Sequence, residues 1–172
     1  MNMFVNAIAL LETPDKVLAA FDEIMDKQED FPGAMAFQRD GGLLLFLDPE
    51  ADPKQDIARL LSKSLDTASV HFQSSDGVSW RYQFFSKGEL RDEFSTAVDD
   101  DVLENLALLC ETLDVAICDI ENYIHPIDDD FAYKTDQFSY DDPWQITDFM
   151  RALGYHYPDA DEDAPLGDWE TI

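Results

Sequence analysis

Positive charge is what this chain has least of: 11 lysines and arginines stand against 38 aspartates and glutamates in 172 residues, a formal net charge of −27. A field of that sign repels nucleic acid and anionic membrane surfaces, and it attracts basic proteins and cations. Cysteine is also sparse. Cys110 and Cys118 are too few for a disulfide scaffold, and eight residues along one helix would hold them about 12 Å apart, beyond bridging distance. Two buried free thiols in a reducing cytosol are therefore expected. The seven glycines are scattered, which leaves no phosphate-cradling loop, dinucleotide fingerprint or G-x-S-x-G elbow. No apolar run approaches the roughly 20 residues of a membrane span, and the opening MNMFVNAIALLETPDK has no basic region before its short apolar stretch. A cytoplasmic, non-membrane protein is the expectation.

Apolar material is plentiful. The hydrophobic fraction is 45%, with 12 Phe, 6 Tyr and 3 Trp, enough to offset the ordering entropy despite the charge. A chain of this length fits one domain and can bury roughly 70% of its unfolded surface.

The first half repeats a unit. Met3 to Leu11 reads as a strand, and Thr13-Pro14 then places a cap residue before proline at the first helical position, where its missing N–H costs nothing. Val17, Leu18, Phe21, Ile24 and Met25 mark one helix face. Ala34 to Gln38 is a strand, Asp40-Gly41-Gly42 a hairpin turn, and Leu43 to Leu47 a continuous apolar run suited to a central strand. Asp52-Pro53, with Gln55 placed to close a capping box, repeats the helix start; Ile57, Leu60, Leu61 and Leu65 form its face, and Ala68 to Gln73 the next strand. The β-α-β-β-α-β order predicts a ferredoxin-like α+β fold.

Val78 to Phe85 alternates strictly, with Trp80, Tyr82 and Phe84 on the packed face. It turns at Ser86-Lys87-Gly88 into Glu89 to Ser95, where Leu90 and Phe94 are apolar. An antiparallel or mixed sheet of about five to six strands is expected over residues 1–98. Residues 99–158 read as an acidic helical region packed on that sheet within the same domain. Leu103, Leu106, Leu109, Leu113, Ile117, Ile120 and Ile124 keep a three-to-four spacing until Pro126, and a further helix starts at Asp142-Pro143 and ends at Gly154. Residues 159–172 read as an acidic tail.

Among candidate sites, Asp159-x-Asp161-x-Asp163, Leu166 at the eighth place and Glu170 at the twelfth resemble a calcium-binding loop, which needs carboxylates at this spacing and a closing Glu. Ala164 stands where the turn requires Gly, Pro165 follows, and two residues remain after Glu170, so no tight calcium site is expected. His71, His125 and His156 lie at no zinc-binding spacing; His71 is expected to be packed or paired in a strand. Around Trp80, Tyr82, Phe84 and Phe94, the cations Arg81, Lys87 and Arg91 are matched by Glu89, Asp92 and Glu93, which argues against a single-strand nucleic-acid platform. No catalytic residue, cofactor or metal is expected.

At WRYQFFSKGELRDEFS and DDPWQITDFMRALGYHYP the chain resembles small acidic bacterial proteins in which an aromatic strand turns through Gly-Glu-Leu and a helix ends in Leu-Gly-Tyr. These are packing and turn motifs, and the resemblance implies no activity. Acidic chains of this size include immunity proteins that neutralise basic toxin nucleases, and DNA-mimic inhibitors, an analogy of charge and size alone. The charge is also uneven: Met1 to Val98 holds 17 acids and 9 bases, whereas Asp99 to Ile172 holds 21 acids and only Lys134 and Arg151. The expected function is a non-catalytic acidic protein that engages a basic protein partner, with Asp128, Asp129, Asp130, Asp159, Asp161 and Asp163 as contact residues. The alternative is a small enzyme or metal-binding protein using clustered carboxylates.

Overall fold

Residues 5–27, 33–48, 56–74, 79–96, 105–124, 145–158 and 163–169 are described by a computed structural model. Helix α1 (Pro14–Met25) begins where Pro14 follows Thr13, and it buries Val17, Ala20, Phe21 and Met25 along one face. Helix α2 (Ile57–Ser64) buries Ile57, Ala58, Leu61 and Ser62. Its described start lies at Asp56, which adopts a left-handed conformation with φ of 51°; Asp52, Pro53 and Gln55 fall outside the described residues. Both helices cover one face of the sheet, over Ile8, Leu10, Leu43 and Leu45.

Strands β1 (Val5–Leu10), β2 (Ala34–Arg39), β3 (Gly42–Leu47), β4 (Ala68–Ser74), β5 (Trp80–Ser86), β6 (Glu89–Ser95) and β7 (Gly167–Trp169) form one sheet in the order β6-β5-β4-β1-β3-β2-β7. Every neighbouring pair is antiparallel. The protein is α+β. The sheet has a seventh strand beyond the five to six expected, and it comes from the stretch read as a tail. Gly167 sits opposite Ala36 and Trp169 opposite Ala34, and the Leu166 N–H donates to the Ala36 carbonyl at 2.7 Å. These bonds satisfy backbone groups that an open β2 edge would otherwise leave unpaired.

Helices α3 (Leu106–Leu113), α4 (Ile117–Ile120) and α5 (Gln145–Ala152) lie on the opposite face. With helices on both sides, β1 is buried at all six positions and reads as an apolar run rather than an alternation. Phe149 of α5 is the hub of this second layer. Its ring centroid lies 5.1 Å from Trp80, 5.2 Å from Tyr82, 6.0 Å from Phe72 and 6.2 Å from Tyr123. Offset and edge contacts of this kind add about 0.5–1.5 kcal/mol per pair beyond area burial.

Two local expectations change. The apolar spacing from Leu106 to Ile124 does not make one helix. Asp114 takes φ of 55° at the end of α3, a conformation Asp tolerates, and the Val115 N–H reaches back to the Cys110 carbonyl at 3.0 Å. The chain then restarts as α4 and a 3-10 turn over Glu121–Tyr123, which leaves Ile117 45% exposed. Cys110 is buried but Cys118 is exposed, because the break at Asp114 puts it on a separate, shallower helix. Leu90 is 47% exposed, since β6 is an edge strand; the irregularity at Phe84/Phe85 turns Phe85 into the α1–α2 core instead. Among the described residues no helix is long and apolar enough to cross a membrane.

Candidate functional site

Asp128, Asp129, Asp130, Asp159, Asp161, Glu170 and His125 fall outside the described residues. Asp163 is described, and it is committed to the fold. Its carboxylate accepts from Arg39 Nη1 at 3.4 Å and Nη2 at 3.3 Å. The Arg39 side chain is 2% exposed. It donates from Nε and Nη2 to the His156 carbonyl at 3.1 and 2.9 Å and from Nη1 to the Gln38 carbonyl at 2.6 Å. The planar guanidinium thus ties β2 to two later segments at once, which a point-charge lysine could not do. His156 Nε2 stands 3.8 Å from Asp163 Oδ2. A cation seated on the Asp159-x-Asp161-x-Asp163 spacing would compete with a buried guanidinium for its third carboxylate. Among the described residues, no three His, Cys, Asp or Glu side chains are grouped to hold a metal.

His71 lies in β4, where Nε2 meets Asn6 Oδ1 at 2.7 Å. Asn6 Nδ2 in turn donates to the Asp48 carbonyl at 3.2 Å, so the Asn6 oxygen accepts and His71 Nε2 carries the proton. Burial, followed by Arg81, holds the imidazole down to about 4; His71 is a neutral strut. A second polar pair lies under the aromatic layer. Tyr82 Oη donates to Asp92 Oδ2 at 2.8 Å, and burial pushes both the phenol and the carboxyl up. Cys110 is nearby and its thiol is also raised, chiefly by burial, the opposite of what an activated nucleophile requires.

Two surface features remain. Along 105–124 the exposed ionisable groups are Glu111, Asp114, Asp119 and Glu121, with exposed Ile117 and Cys118 among them and no Lys or Arg in the stretch. None of the Lys or Arg ion pairs among the described residues involves it. On α1, by contrast, Asp15, Asp22 and Glu23 are exposed together with Lys16. The other feature is a cleft of about 250 Å³ between the Asp40-Gly41 turn and the C-terminal end of α5, lined by residues that include Leu11, Leu113, Val115, Arg151 and Tyr155. Sequence reasoning missed this cleft and Arg39. The cleft's residues come from four separate places in the chain, and the local motifs among them, the Asp40-Gly41 turn and the Leu-Gly-Tyr helix end, are turn signals that say nothing of a shared cleft.

No protein-family model, curated protein or solved structure matches the chain.

Proposed function

We propose that this is a non-catalytic binding protein, of the inhibitor or immunity type, that presents its acidic C-terminal half to a basic protein. The observation that carries the reading is the α3–α4 segment: four exposed carboxylates with no cation in the stretch, and a half-exposed isoleucine among them in sequence. Such a segment combines long-range attraction for a cationic partner with an exposed apolar contact. Asp128, Asp129 and Asp130 follow in the same acidic half and extend the proposed interface. Asp163, held by Arg39, belongs to the fold before it belongs to a partner, so we rest less of the interface on the 159–163 segment.

The metal or enzyme alternative has less support. Asp163 and Asp92 are engaged by Arg39 and Tyr82, and the buried His71 is held neutral. We further read the central strands, ordered β4-β1-β3-β2 with α1 and α2 on one face, as the ferredoxin-like arrangement that a β-α-β-β-α-β chain forms. A cytoplasmic setting fits the exposed free thiol of Cys118.

The test is capture from a cell lysate at low salt, elution by rising salt, and association kinetics with the eluted protein. Converting Glu111, Asp119 and Glu121 to their amides, and separately Asp128, Asp129 and Asp130 to Asn, should each slow association about 3- to 10-fold and flatten its salt dependence. Unchanged rates in both triple variants would overturn the proposal.

A further inference from the structure

Tyr155 is an anomaly that the acidic-partner reading does not use. The residue is 2% exposed, and its position is set from both sides. Gly154 takes φ of 90° to leave α5, and the Tyr155 N–H closes onto the Met150 carbonyl at 2.9 Å. Its Oη has no hydrogen-bond partner among the described residues and almost no contact with solvent. Buried hydroxyls are nearly always partnered, so an orphan beside a cleft points to a missing acceptor. Gly41 packs beside the hydroxyl: a Cβ there would stand 3.5 Å from Oη, an ordinary van der Waals contact, with no closer heavy atom. Burial pushes the phenol up to about 12, which keeps it a protonated donor at neutral pH.

The rest of the cleft defines what that acceptor is attached to. Leu11, Leu113 and Val115 offer an apolar wall, and Asp40 and Arg151 supply one charge of each sign. Arg151 is 66% exposed and shares its guanidinium with Asp148 at 3.1 Å, which leaves donors free. A volume of about 250 Å³ is room enough for a molecule of amino-acid size. A simple anion would meet Asp40 and the field of a chain with net charge −27. A zwitterion meets neither penalty.

We propose that this cleft binds a small zwitterionic molecule with a short apolar body, an apolar α-amino acid or a close analogue. Its carboxylate accepts from Tyr155 Oη and faces Arg151, its ammonium faces Asp40, and its side chain lies against Leu11, Leu113 and Val115. Oη has almost no contact with solvent, so a carboxylate reaches it only if the Asp40-Gly41 turn, exposed at both residues, shifts on binding.

The test is titration of the ¹⁵N-labelled full chain with L-leucine, with 4-methylpentanoate and 3-methylbutylamine as probes lacking the ammonium and the carboxylate. The seven glycines make the Gly41 and Gly154 amides convenient reporters. L-leucine should shift both below about 10 mM, and each truncated probe should bind at least about tenfold more weakly. Tyr155→Phe, which keeps the ring and its packing, should weaken L-leucine about fivefold, the worth of one net hydrogen bond. Gly41→Val should abolish binding while the rest of the spectrum stays unchanged. No shift at Gly41 and Gly154, equal binding of the three probes, or full affinity in Tyr155→Phe would each overturn the proposal.

Discussion

At the scale of single residues, the buried polar groups decide how the protein responds to acid. His71 holds its proton on Nε2 against Asn6 and resists a second one, with its pKa lowered from 6.5 to about 4. In the unfolded chain the same imidazole titrates at its ordinary value. Between pH 6.5 and 4 the unfolded state therefore binds a proton that the folded state refuses, and stability falls as the pH falls. The loss approaches about 3 kcal/mol at the lower end. Asp92 works in the other direction. Burial raises its carboxyl above 3.8, so the folded state takes up that proton more readily and regains stability as the pH drops. Urea midpoints at pH 7 and 4.5 should show the native chain weakening with acid, and His71→Phe should remove most of that slope. An unchanged slope would mean that His71 is protonated in the fold.

At the scale of elements, β1 and β3 approach closely at one point, and Gly42 is what permits it. Its φ is 156°, and a Cβ there would lie 1.9 Å from the Leu10 carbonyl oxygen, backbone that cannot swing aside. Gly42→Ala should cost about 3 kcal/mol or more through strain and overpacking, measured as a lower denaturant midpoint at unchanged m. This glycine was legible only as part of the Asp40-Gly41-Gly42 turn; its steric role depends on a strand more than 30 residues earlier. The same division holds elsewhere. Helix α1 and strands β1 to β6 were readable because Pro14, the Gly88 turn and the apolar periodicities are local signals. The break at Asp114 was not, since Ile117, Ile120 and Ile124 keep the helical spacing straight through it. Strand β7 carries only three residues of pattern, and its place is set by the edge of β2 and by Arg39. The Tyr155 cleft is assembled from side chains with no common motif, so periodicity had nothing to detect.

At the scale of the whole molecule, the sheet separates two helical layers, and in the second the α3–α4 segment differs from α5, whose exposed Arg151 is paired with Asp148. Lys16 sits among the acids of α1, whereas 105–124 carries exposed carboxylates without a cation. That contrast gives the proposed partner a preferred side of approach. The Arg39–Asp163 bond, which spans 124 residues of chain, also has a kinetic meaning. Contacts so distant in sequence pay their loop-closure entropy before they return any stabilisation. Hairpins such as β2–β3 and β5–β6 can form early; the edge that Arg39 secures is expected to close after the transition state. Stabilisation gained after the barrier lowers the unfolding rate and leaves the folding rate alone. Arg39→Met should therefore speed unfolding about tenfold or more in stopped-flow denaturant jumps, with the refolding limb nearly unmoved. Equal slowing of refolding would place this contact in the folding nucleus. In that sense the buried arginine is a latch: it governs how long the native state lasts, and has little influence on how quickly that state is reached.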